Sequence, residues 1–304
     1  MGLTSKNLLV IGGSGFIGKS LSSIALNEGF NVTTLSKNKH SFKNNITQLS
    51  ADISNFNSLK NALKGLNFDF IVNLAGYIDH SSERDAAKKV FDTHFNGVRN
   101  LTKYFKNSNI KTFIQIGSSD EYGSNSCPQI ENQREDPFSS YSLAKVNSTH
   151  YLQTIHKTDS FPSIVLRPFL VYGPGQNKDR LIPFVIDKCL KNETFNVSEG
   201  NQLRDFCYVD DVSRAIINAI NNKNAFGEII NLASGTPVSI REIIEKIRLI
   251  INAGVPNYGA IPYRYGENMC LYGDTSKSKL ILNWDPKISL DQGLRQTIEW
   301  YKNS

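Results

Sequence analysis

Tyr141 and Lys145 stand four apart in SSYSLAK, and Ser118 and Ser119 stand 22–23 residues ahead of Tyr141 in IGSSDEYG (116–123). Residues four apart share one helical face. There an ammonium favours the phenolate and lowers the tyrosine pKa, so the phenol can exchange a proton near neutral pH. A serine hydroxyl can orient and polarise the reacting oxygen. Asp120 and Glu121 sit beside the serines, so a general acid/base pair of carboxylates is the competing chemistry.

A second constellation lies near the start. NLLVIGG runs into GGSGFIGKSL, where Gly12, Gly15 and Gly18 form G-x-x-G-x-x-G between a strand and a helix. Gly12 permits the tight turn, Gly15 lets backbone approach a pyrophosphate, and Gly18 allows close helix–strand packing. The helix N-terminus, with Phe16 and Ile17, supports the negative charge. VTTLSKNK then places Ser36, Lys37 and Lys39 where an NAD site usually carries an acid. A small hydroxyl with cations suits a 2′-phosphate, which favours NADP(H) over NAD(H); solvated loop lysines are the plainer alternative. Asp52 and Ile53 follow a third strand and can reach the adenine. Leu74, Ala75 and Gly76 close the fourth, where small residues let a cofactor lie against backbone. Pro168, at the end of PSIVLRP, completes the cofactor set.

These residues need strands that end near one another. NLLVIGG (7–13), NVTTLS (31–36), FDFIVNLAG (68–76), KTFIQIGSS (111–119) and PSIVLRP (162–168) are near-continuous apolar runs bounded by turn residues. Such runs suit a parallel sheet covered on both faces. The stretches 84–107 and 141–157 have the length and period of crossover helices. The expectation is an α/β fold, a doubly wound parallel sheet with a smaller C-terminal lobe. Residues 1–168 form the cofactor-binding unit. Residues 169–304 are mainly the substrate-binding lobe, with about 205–233 returning to the first unit. Late helices carry a Ser239–Glu242 capping box and core stripes at Ile240, Ile243, Ile244, Ile247 and Ile251 and at Leu290, Leu294 and Ile298.

Composition narrows the class. A chain of 304 residues, 39% hydrophobic and 20% charged, is an ordinary globular protein. It has no apolar run long enough to span a membrane. MGLTSK loosely matches a myristoylation start but reads more simply as a short tail. The net charge of +6 is scattered, without basic blocks interleaved with aromatics, so phosphate-bearing small molecules are favoured over nucleic acid. Cys127, Cys189, Cys207 and Cys270 make no CxxC motif. The expectation is a reduced, cytoplasmic protein with no metal site.

With these motifs assembled, the chain resembles the extended short-chain dehydrogenase/reductases that act on nucleotide sugars, the epimerase/dehydratase family. GGSGFIG, NLAG, GSSDEYG, YSLAK, LRPFLVYGPG, LRDFCYVDDV and RYGENM carry the resemblance over nearly the whole chain. It implies a Rossmann-type domain, a Ser118–Tyr141–Lys145 catalytic set, a lobe holding a nucleotide-diphosphate sugar, and a homodimer through helices near 84–107 and 141–157. It also implies substrate contacts at Ser118, Ser119, Asp120, Leu181, Arg204, Arg264 and Glu267. The arginines suit diphosphate because their planar forks meet its oxygens bidentately.

The family's dehydratases carry Thr-Asp-Glu from the position of Ser118. Here Asp120–Glu121 is shifted by one, so Glu121 reads as structural and Asp120 as a substrate contact. Leu170 and His94 replace asparagines common in the family. The C-terminal spacing looks most like the NDP-4-keto-6-deoxyhexose 4-reductases, which implies hydride transfer from NADPH to a sugar C4 ketone. A 4-epimerase with retained NAD is the first alternative, a 4,6-dehydratase the next. A non-enzymatic NADP(H)-sensing module is the last, and such modules often lose the Tyr or Lys that this chain keeps.

Overall fold

The first strand, β1 (Asn7–Ile11), is apolar on both sides, and alternation along a strand sends its residues to opposite faces. Leu8 and Val10 enter one core cluster, Leu9 and Ile11 another. A strand buried on both faces belongs inside a covered parallel sheet. The computed structural model, which describes residues 6–38, 46–76, 84–264 and 266–304, places it there.

The elements follow as α1 (Phe16–Asn27), β2 (Asn31–Ser36), β3 (Thr47–Ser50), α2 (Phe56–Leu63), β4 (Phe70–Asn73), α3 (Arg84–Phe91), α4 (Gly97–Phe105), β5 (Thr112–Ile116), α5 (Ser140–Asp159) and β6 (Ser163–Pro168). A π-helical turn, Asp92–Asn96, joins α3 to α4, and a 3-10 turn, Ser119–Tyr122, follows β5. After β6 come β7 (Leu170–Tyr172), α6 (Leu181–Leu190), β8 (Thr194–Asn196), β9 (Leu203–Tyr208), α7 (Val209–Ile220), β10 (Ile229–Leu232), β11 (Pro237–Ser239), α8 (Ile240–Ile251), β12 (Val255–Asn257), β13 (Cys270–Leu271), α9 (Ser276–Leu282) and α10 (Leu290–Lys302).

The main sheet is seven-stranded and parallel, ordered β10-β6-β5-β4-β1-β2-β3. The five apolar runs are β1, β2, β4, β5 and β6. The strand before Asp52 is β3, a short polar edge strand outside those runs. Strand order reverses between β1 and β4, which opens the crevice where ligands of such sheets bind. The chain returns late to this sheet: β10 pairs with β6, and α7 packs against α1. The remaining strands form a four-stranded sheet, in which β9 pairs with β7, β11 and β13, and a β8–β12 pair. Ser239 caps α8 by accepting from Glu242 N at 3.0 Å, and Ile240, Ile243, Ile244 and Ile247 are buried together with Leu294 and Ile298 of α10.

One sequence expectation fails here. Cys127 and Cys270 form a disulfide, with Cα atoms 6.3 Å apart, while Cys189 and Cys207 are buried thiols. The bond joins residues 143 apart in sequence, so no local spacing announces it. It ties the loop after the Ser119–Tyr122 turn to β13. Among the described residues no helix is long and apolar enough to cross a membrane, and no cluster of His, Cys, Asp or Glu could hold a metal ion.

Candidate active site

Gly12 ends β1 with φ +79°, and a Cβ there would sit 2.8 Å from Ala75 N and from the Leu74 carbonyl carbon. The turn after β1 therefore lies directly against the end of β4, across the point where strand order reverses. Gly15 N donates to Gly12 O at 3.0 Å, and a Cβ on Gly18 would meet Gly12 O at 2.4 Å. Gly15 stands at the N-cap of α1 with no side-chain cap. The first N–H groups of α1, from Phe16 to Gly18, have no partner further back in the helix. A side-chain-free cradle at a helix N-terminus fits a dinucleotide pyrophosphate.

The neighbouring residues are more committed than their spacing suggested. Ser36 Oγ accepts from Ser14 N at 3.3 Å and so holds the turn. Lys37 Nζ pairs with Asp52 Oδ2 at 2.7 Å, and Asp52 also accepts from Ser54 N and Oγ. Burial draws the Asp52 carboxyl up, but Lys37 and Ser54 outweigh it and hold it below its ordinary value. Lys39 lies outside the described residues. The Ile53 side chain is core, packed on Gly97, and its carbonyl accepts from Asn100. Leu74 N donates to Ile11 O, Ala75 N to Asn73 Oδ1, and Gly76 lies against the His94 ring. Pro168 is buried at the end of β6.

Past the end of β5, Ser118 caps the 3-10 turn: its Oγ accepts from Asp120 N at 3.1 Å. Ser139 caps α5, so Tyr141 and Lys145 lie in its first two turns. The Ser118 side chain acts on the Tyr141 phenol and favours its ionised form. Lys145 Nζ donates to Ile116 O at 2.7 Å and lies 5.8 Å from the Tyr141 ring centre. His94, in the π-helical turn, meets the Tyr141 ring edge-on at 5.1 Å.

Charge at this cluster differs from the sequence expectation. Burial raises the Tyr141 pKa, the Asp120 charge adds to it, and the Ser118 hydrogen bond only partly opposes it. Burial lowers the Lys145 ammonium to about 8 against the pull of Glu121 and Asp120. Desolvation outweighs the tyrosine–lysine attraction that the four-residue spacing promised.

On the other side of the cleft, Arg204 of β9 is buried and pairs through Nη2 with Glu267 Oε1, while its Nη1 donates to Leu203 O at 2.8 Å. Burial is the main cause holding the Arg204 pKa down; Arg264 adds to it, while Glu267 and Asp120 oppose it. Arg264 is exposed. Asp120 thus acts through its charge on Tyr141, Lys145 and Arg204 together. Leu181 opens α6, and the residue before it, Arg180, acts on Tyr141. Arg180 was missed from sequence. Its signal is a cation at an N-cap that makes no cap of its own. Ser119 is buried in its turn, and Leu170 packs beside Tyr122 and Phe169. Tyr265, in RYGE, lies outside the described residues.

The match to known proteins is extensive. Residues 8–233 fit the model of the NAD dependent epimerase/dehydratase family. The chain belongs to this family. A UDP-glucuronate 4-epimerase of Thermodesulfobacterium geofontis is 29% identical over 97% of this chain and 96% of its own length. The structure of a UDP-glucose 4-epimerase from Thermotoga maritima with UDP-glucose superposes with a TM-score of 0.91 at 25% identity, covering 98% of this chain and 99% of that one. A UDP-glucuronic acid 4-epimerase mutant from Bacillus cereus, in complex with a fluorinated UDP-sugar and NAD, gives 0.87 at 26% identity, over 98% and 99%. Proteins described as dTDP-glucose 4,6-dehydratases are also similar across nearly the whole chain. The fold is the Rossmann-type fold of this family, and the chain is an NAD-dependent nucleotide-sugar enzyme of the epimerase/dehydratase kind.

Proposed function

We propose that this family member is a 4-epimerase of nucleotide-diphosphate hexoses that retains NAD. One observation carries the choice against water loss. Glu121 has no exposure and both of its oxygens are engaged, Oε1 by Ser118 N and Oε2 by Thr149 and Arg167, so it is not presented to a sugar as an acid or base. Proton exchange at O4 falls to Tyr141 with Ser118 beside it. That set serves interconversion of a C4 alcohol and a ketone.

Against net reduction, Lys37 is neutralised by Asp52 and Ser36 is engaged by Ser14, which supports NAD rather than a dinucleotide with a 2′-phosphate. The named similarities to 4-epimerases support the same choice over the 4-reductase expected from the C-terminal spacing.

The bound nicotinamide would supply a reversible hydride acceptor; Gly12, Gly15, Gly18 and the N-terminus of α1 would hold its pyrophosphate. Tyr141 takes the proton of the sugar O4 as C4 becomes a ketone, and returns it after the ketone has turned over. Ser118 holds the oxygen through both steps. Lys145 supplies positive charge beside the phenol, which burial otherwise keeps protonated. Arg204, Arg264 and Arg180 would meet the diphosphate, with Leu181 near the base and Ser119 and Asp120 at the sugar. Ile53, Leu74, Ala75, Gly76 and Pro168 would line the cofactor. In the same proposal, residues 1–168 with the returning segment hold cofactor, and the rest holds substrate. A homodimer would cover the 720 Å³ groove lined by Arg99, Lys103 and Tyr151 of α4 and α5.

The test offers UDP-, dTDP-, CDP- and GDP-hexoses to purified protein. C4 epimers formed without net change in reduced nicotinamide support the proposal. Net NADPH consumption with a 4-keto-6-deoxy sugar replaces it with the reductase, and a 4-keto-6-deoxy product replaces it with the dehydratase.

A further inference from the structure

Glu121 touches neither the cleft nor the cofactor crevice, yet one carboxylate joins the two elements that carry the reacting hydroxyls. Its Oε1 accepts from Ser118 N at 2.8 Å, which fixes the turn after β5. Its Oε2 accepts from Thr149 Oγ1 at 2.8 Å. Tyr141, Lys145 and Thr149 follow one another at four-residue steps, so they lie along one face of α5. Arg167, with no exposure, grips the same Oε2 through Nε at 3.0 Å and Nη2 at 2.7 Å. Arg167 Nη2 also reaches Glu135 Oε1 at 2.8 Å, and Glu135 meets His150 of α5 at 3.2 Å. Gly117 leaves room for the carboxylate: a Cβ there would lie 2.5 Å from Glu121 Oε1.

We infer that Glu121, clamped by Arg167, is a positioning residue that sets the distance between the Ser118 hydroxyl and the Tyr141 phenol. The inference rests on the epimerase proposal for its reaction, but its geometry is independent of which sugar is used. A charge-assisted bond in a dry site holds shape better than a neutral one. Reaction rates respond steeply to small misplacements of reacting groups.

The experiment is a double-mutant cycle in the full-length, cofactor-loaded protein. Glu121→Gln and Thr149→Val are each made alone and with Ser118→Ala, and kcat and KM are measured. Folding and cofactor content are checked by circular dichroism and by extraction. Thr149→Val leaves the Glu121–Arg167 pair intact, so it remains informative if Glu121→Gln folds poorly. In the Ser118 background each variant should lower kcat by about tenfold with KM little changed. In the Ser118→Ala background the same change should cost less than about threefold, because the group it positions is gone. Equal losses in both backgrounds, or an unchanged kcat in folded variants, overturn the inference. If wild type interconverts no sugar, the epimerase proposal fails separately, and the cycle is read on NADPH oxidation by a 4-keto sugar. If that also fails, the inference is overturned with it.

Discussion

Two turns at the carboxyl ends of parallel strands frame the site, and they are held in opposite ways. The turn after β1 is shaped mainly by what its glycines lack: Gly12 and Gly18 let backbone pack on backbone, with Ser36 Oγ adding one side-chain bond to Ser14 N. The turn after β5 is shaped by what its residues reach. Glu121 is bound by Thr149, 28 positions on, and by Arg167, 46 positions on. A cradle of backbone needs only close approach of chain to chain, whereas two hydroxyls brought together from separate elements need a side-chain brace.

The contrast can be broken at either turn. Glu121→Ala strips the buried Arg167 of one partner, and removing half of a buried pair typically costs about 3–5 kcal/mol. Denaturant unfolding should show that loss, while dinucleotide affinity of the folded fraction stays near wild type. Gly18→Ala should lower dinucleotide affinity as well as stability. A Cβ 2.4 Å from Gly12 O forces backbone apart, an overpacking cost of about 1–3 kcal/mol. A dinucleotide titration should read it as weaker binding, with kcat at saturating cofactor less affected.

Glu135 sharpens the comparison through pH. Burial draws its pKa up, but the Arg167 hydrogen bond and charge win and hold it below the ordinary glutamate range. A carboxyl depressed on folding adds stability above its unfolded pKa, about 4.3, and that stability is lost as pH falls through the lower folded value. Glu135→Gln should therefore flatten the acid limb of stability against pH, measured by thermal melts. The smallest effect is expected at Lys37→Ala, beside the glycine turn. An exposed pair such as Lys37–Asp52 contributes about 1 kcal/mol or less. Since Lys37 is already neutralised, the NADP-to-NAD affinity ratio should change by less than about threefold; a large fall would restore it as a 2′-phosphate contact.

Much of this was written in the sequence because it depends on neighbours. Apolar runs marked β1, β2, β4, β5 and β6, and the four-residue spacing placed Tyr141 and Lys145 on one face of α5. The third strand, β3, was expected before Asp52 but carries no apolar run, because it sits at the sheet edge, where none is required. Glu121 was legible as structural, since its register is shifted by one from the dehydratase pattern. Its partners, and the disulfide between Cys127 and Cys270, were not.

The order of glycines, hydroxyls and periodic apolar residues determined the fold class, the cofactor turn and the candidate reacting groups, because φ, helical pitch and strand alternation act within a few residues. Only the tertiary structure decided which charges are free. It paired Lys37 with Asp52 and Arg204 with Glu267, buried Tyr141 enough to raise its pKa, and spent Glu121 on Arg167 and Thr149. Desolvation and ion pairing depend on what folding brings alongside, and those partners lie far away in sequence.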